Sequence, residues 1–79
     1  MYLRVALAQI NPTVGDLAHN RNKILFWTQK AQSLQTDILV FPQMATTGYP
    51  LEDLALNPDF IEASHRVLNE IVEESKGLT

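Results

Sequence analysis

Two short runs of this chain are apolar on both sides, and a segment of helical periodicity lies between them. No other feature limits the fold as much. The first run, Tyr2 to Ile10, sends Leu3, Val5 and Leu7 one way and Tyr2, Ala6, Ala8 and Ile10 the other. Only Arg4 and Gln9 in it are strongly polar. The second run, Ile38-Leu39-Val40-Phe41, is opened by Asp37 and is continuous. A strand that is apolar on both faces belongs inside a parallel sheet covered on both sides. Between the runs, Leu17, Ile24, Thr28, Ala31 and Leu34 recur at helical spacing, flanked by Leu25 and Trp27. Asp16 is placed to cap the helix, which is predicted over Leu17 to Leu34. Asn20, Arg21, Asn22, Lys23, Gln29, Lys30 and Gln32 are expected on its surface. Trp27 is expected to pack at the edge of the core.

Strand, helix, strand is a βαβ unit, whose crossover is right-handed as a rule. The strands are then parallel and end side by side. The loop Asn11 to Asp16 and the loop Pro42 to Pro50 therefore share one sheet edge. In open α/β sheets that edge is where ligands bind.

The remaining chain supplies helices only. Leu51 to Leu56 reads as a short helical turn. Asn57-Pro58 is a helix start, with Asn as cap and Pro as first helical residue. Ile61, His65, Leu68, Ile71 and Val72 form the expected apolar stripe, with His65 a boundary residue. The helix is predicted to end near Ser75, with Gly77 as the stop. Two-stranded sheets are rarely stable alone. The chain is therefore expected to be the N-terminal piece of a larger α/β fold, or to need a partner that completes the sheet.

Composition narrows the function. The formal net charge is −3, whereas nucleic-acid binding calls for a basic stripe. Glu52, Asp53, Asp59, Glu62, Glu70, Glu73 and Glu74 cluster late, with Arg66 the only arginine or lysine among them; this reads as a solvated helix face. The chain has no cysteine, so no disulfide, thiolate metal site or cysteine nucleophile falls within it. His19 and His65 lack ligand-like spacing, and no metal is expected. No signal-peptide pattern or membrane span is visible, and a cytoplasmic location is expected.

The stretch Phe41-Pro42-Gln43-Met44-Ala45-Thr46-Thr47-Gly48-Tyr49-Pro50 follows the second strand directly and should hold whatever chemistry the chain has. Gly48 is expected at positive φ, and Pro50 holds Tyr49 extended. Thr46 and Thr47 read as turn hydroxyls bonding nearby backbone. Glu52 and Asp53 are neighbours on a helical turn and point to different sides, so they do not form a catalytic pair. A dinucleotide-binding unit would fit the βαβ pattern, but the first loop lacks a Gly-x-Gly-x-x-Gly turn, which argues against it.

Asp37 through Pro50 resembles the segment that carries the first catalytic residue of carbon–nitrogen hydrolases of the nitrilase superfamily. Leu51-Glu52-Asp53-Leu54, Asn57 through Ile61, Val5 through Leu17, Asn20, Lys23 and Ile24 are similar to the N-terminal amidase domain of glutamine-dependent NAD synthetases. The likeness runs through essentially the whole chain, read as one partial domain over residues 1–79. It implies a four-layer α-β-β-α sandwich and a catalytic set of glutamate base, lysine and cysteine. It also implies glutamine as substrate, ammonia delivered to a separate domain using ATP and magnesium, no cofactor on this segment, and a homo-oligomer. The family glutamate falls on Gln43, and the family's lysine and cysteine lie outside these residues. Tyr49 falls where a tyrosine lines the family's pocket. A carboxamide cannot act as the base, so this chain alone is expected to be inactive. The alternative is a non-catalytic structural or interaction module derived from such an amidase.

Overall fold

The computed structural model describes residues 2–49 and 52–79. The elements follow in the order β1 (Val5–Leu7), α1 (Leu17–Ser33), β2 (Ile38–Val40), a 3-10 turn (Glu52–Leu56) and α2 (Pro58–Glu74). β1 and β2 are parallel neighbours, with Val5 opposite Ile38 and Leu7 opposite Val40. The predicted βαβ unit is therefore present.

β1 is much shorter than the run Tyr2 to Ile10. A ladder extends only as far as its partner does. One further bond, from Ala8 N–H to the Val40 carbonyl (2.9 Å), continues the pairing, and Arg4 is held from the other end by Asp37. The Arg4 N–H donates to Asp37 Oδ2 at 2.9 Å, so the residue that opens β2 also fixes the start of β1.

Thr79 lies along the opposite edge of β2. Its N–H donates to the Asp37 carbonyl (3.1 Å), and its own carbonyl accepts from Leu39 N–H (2.7 Å). This alternation is that of a parallel ladder. β2 is thus hydrogen-bonded on both edges.

α1 is capped as predicted: Asp16 Oδ1 accepts from His19 N–H at 3.1 Å. Its end is a Schellman motif. Thr36 N–H reaches the Ala31 carbonyl and Gln35 N–H the Gln32 carbonyl, with Gln35 at φ +57. The buried row of α1 is Asn20, Ile24, Thr28 and Ala31. Placing Asn20 on the helix surface is thus corrected: it is fully buried. Leu34, expected in the stripe, is exposed because it lies past the last helical turn. Trp27 sits at the core edge, lining with Ala31, Leu34 and Leu39 a shallow groove of about 160 Å³.

In α2, Asn57 Oδ1 accepts from Asp59 and Phe60 N–H, with Pro58 opening the helix. The predicted stripe needs rotating. Val67 is buried and Phe60, Ala63, Ser64 and Ile71 are half-buried, whereas Ile61, His65, Leu68 and Val72 are exposed. α2 packs against α1 rather than on the sheet. Its inner face mixes small residues, Ala63 and Ser64, with Phe60, Val67 and Ile71, while Ile61, Leu68 and Val72 are left outside.

Among the described residues the sheet is covered on one face only. Ala6, Ala8 and Leu39 are half-buried on the side of α1, while Leu3, Val5 and Leu7 are 66%, 54% and 69% exposed. Ile24, Ala31, Ala45 and Val67 are the buried hydrophobic residues among those described. So small a core leaves little to offset the entropy cost of ordering a chain of 79 residues. The isolated chain is therefore expected to melt without a cooperative transition, or to self-associate through the open face. Calorimetry with sedimentation checks this, and a sharp melt of a monomer would contradict it.

Candidate functional site

The loops after β1 and β2 lie against each other, as the parallel pairing requires. Gly15 N–H donates to the Thr47 carbonyl at 2.9 Å. Asn20, reaching up from the first turns of α1, bonds both loops. Its Oδ1 accepts from Thr13 N–H (2.7 Å), and its Nδ2 donates to the carbonyls of Thr13 (2.7 Å) and Thr46 (2.9 Å). Lys23 Nζ donates to the Asn11 carbonyl at 2.7 Å. Gly48 is pressed so close that a Cβ there would lie 2.6 Å from Val14 Cα.

Sequence reasoning missed Asn20 because an amide was taken for a surface group. Its position four residues before Ile24, in the same helical row, was the available signal.

Gln43 begins the turn that follows β2 and is exposed. Met44 has φ +56, a conformation that costs a non-glycine residue about 1–3 kcal/mol and tends to occur at functional sites. Gly48 N–H closes the turn on the Met44 carbonyl at 2.8 Å, with Gly48 at φ +79 as expected. Thr47 Oγ1 donates to the Gly48 carbonyl at 3.2 Å. Gln43, Met44 and Tyr49 line one open depression of about 280 Å³. The two predicted site residues are thus brought together. Pro50, expected to hold Tyr49 extended, lies outside the described residues, as does Leu51, the predicted start of the short helical turn.

The arrangement has clear chemical limits. A carboxamide offers two N–H donors and one acceptor oxygen. Gln43 is able to orient a polar ligand, but it has no titrating group with which to take a proton. Among the described residues, no group of three His, Cys, Asp or Glu side chains is placed to hold a metal ion. Among them, too, no helix is long and apolar enough to cross a membrane.

A parallel βαβ unit with one open sheet face and two stitched loops at its carboxyl edge defines part of a layered α/β domain. The chain belongs to the carbon-nitrogen hydrolase family, whose family model matches residues 4–79. It is 43% identical over 70 residues to a glutamine-dependent NAD(+) synthetase of Synechocystis sp., covering 89% of this chain and 12% of that protein. A protein of the same name from Thermotoga maritima is 38% identical over 76 residues, covering 96% and 13% respectively. The crystal structure of a glutamine-dependent NAD(+) synthetase from Cytophaga hutchinsonii superposes with a TM-score of 0.91 at 29% identity, over 96% of this chain and 13% of that one. The chain thus corresponds to a small part of each of these relatives.

Proposed function

We propose that this chain is the N-terminal portion of the glutamine-hydrolysing domain of a glutamine-dependent NAD synthetase. The observation that carries the reading is the match of synthetases over nearly the whole chain, loop edge included. In this reading the sheet's open face is covered by the rest of the same domain, completing the α-β-β-α sandwich. Residue 43 stands at the position of the general base and Tyr49 lines the glutamine pocket. The lysine and the cysteine nucleophile come from the rest of the domain. The cysteine attacks the amide carbon of glutamine and releases ammonia, which passes to a separate domain that uses ATP and magnesium. The segment itself binds no cofactor. A cytoplasmic, homo-oligomeric parent protein fits this role.

With Gln43 in place of the base, glutamine hydrolysis is impaired, and the isolated chain releases no ammonia from glutamine. A coupled assay of ammonia release by the purified chain tests this, and measurable turnover would refute the assignment of roles. A second reading, a non-catalytic module derived from the amidase, is favoured by one observation, the carboxamide at position 43. The intact mass of the native protein separates the two. A chain of several hundred residues, on the order of more than one domain, supports the synthetase, and a native product of 8.9 kDa supports the module.

A further inference from the structure

We propose that Asn20 is the positioning residue of this site: its buried side chain sets the place of the turn that presents residue 43. The inference rests on the reading of the loop edge given above.

Three features of Asn20 carry it. The residue is completely buried. Its amide is turned to the loops, with one bond accepted by the oxygen and two donated by the nitrogen, all of 2.7–2.9 Å. Those bonds end on both loops, at Thr13 on one side and Thr46 on the other. Thr46 is part of the tight turn that begins at Gln43 and closes from Gly48 N–H to the Met44 carbonyl. A displacement of the Thr46 carbonyl therefore moves the turn as a unit. No other residue type does the same work at this place. Aspartate keeps the acceptor for Thr13 N–H but turns a carboxylate toward two carbonyl oxygens. Alanine leaves the Thr13 N–H and two carbonyls without their partner in a closed space.

The turn itself gives the staple its purpose. Met44 holds a left-handed backbone, and such a residue persists only where its surroundings over-determine it. The Asn20 bonds and the Gly15 to Thr47 bond are the surroundings that fix this turn from below.

The test uses the full-length protein with Gln43→Glu, alone and combined with Asn20→Ala or Asn20→Asp. Val67→Ala, in the α1–α2 contact away from the loops, serves as a control for simple loss of stability. Amide hydrogen exchange and glutamine hydrolysis are both read well below the melting temperature. Asn20→Ala and Asn20→Asp are expected to raise exchange at Gly15 and Gly48 at least tenfold while Ala8 in the strand pair stays protected. They are expected to lower kcat for glutamine at least tenfold, with a smaller change in KM and ammonia-dependent synthesis retained. Val67→Ala changes neither.

Unchanged exchange at Gly15 and Gly48 overturns the proposal. So does a fall in kcat no larger than that of Val67→Ala. If the Gln43→Glu protein hydrolyses no glutamine, the functional reading above fails, and the loop exchange alone decides whether Asn20 positions the turn.

Discussion

In the full-length protein, Gln43→Glu is expected to raise glutamine hydrolysis on the order of 10²–10⁴-fold, the usual worth of a positioned general base. The two side chains have nearly the same shape, and position 43 is exposed, so the exchange leaves folding within about 0.5 kcal/mol. What changes is the ability to accept a proton from a thiol. On the proposed reading, synthesis with free ammonia would bypass this step and should be nearly unchanged, which makes it the internal control. The Glu variant should also acquire a limb in its pH–rate profile from the new carboxyl group, which the Gln form lacks. Glutamate release with and without the substitution checks the claim. Equal rates would mean that position 43 is not the base.

The large-scale layout was legible because it rests on periodicity. Two two-sided apolar runs around a helical segment force a parallel pair, and a parallel pair forces the two loops onto one edge. Asp16 and Asn57-Pro58 marked the helix starts because capping is local chemistry that the sequence displays directly. Gly48 announced its left-handed turn for the same reason. The helix end at Gln35 was less visible: the chain takes φ +57 there without a glycine, so the usual stop signal is missing.

Other features depend on what packs against what. The strand at Tyr2 to Ile10 shrank to Val5–Leu7 because its ladder partner is short. The α2 stripe was misplaced by composition. Hydrophobic residues mark a face that something covers, but the inner face of α2 runs through Phe60, Ala63, Ser64, Val67 and Ile71, small and polar residues included. The exposed Ile61, Leu68 and Val72 are suited to a surface outside these residues. Asn20 shows the limit most clearly, since a buried amide and a surface amide are the same letter. Its value comes from Thr13 and Thr46, which lie on two loops, 7 and 26 positions away respectively. At position 43 the residue type is plain from the sequence, while the turn at Met44 and the shared depression with Tyr49 come only from the fold.

Gly48→Ala is expected to destabilise the protein more than any other single methyl addition among the described glycines. Two costs combine. The backbone is at φ +79, a region that costs a residue with a Cβ roughly 1–2 kcal/mol. The new methyl would also meet Val14 Cα at 2.6 Å, Val14 N at 2.7 Å and the Thr13 carbonyl carbon at 2.9 Å. These are backbone atoms, so no side chain can swing aside and the loops themselves must part. Overpacking of that kind adds about 1–3 kcal/mol. Parting the loops also strains the Gly15 to Thr47 bond and the grip of Asn20 on Thr46, so glutamine hydrolysis in the Gln43→Glu background should fall as well. Gly77→Ala is the matched control. Its φ is +81, but nothing lies within 4 Å of the added methyl. It should therefore show only the conformational part of the cost. Denaturant midpoints of the full-length protein and both variants, at constant slope, give the difference. If Gly77→Ala costs as much as Gly48→Ala, the contact between the two loops does not contribute to stability, and the edge that presents residue 43 is looser than its hydrogen bonds imply.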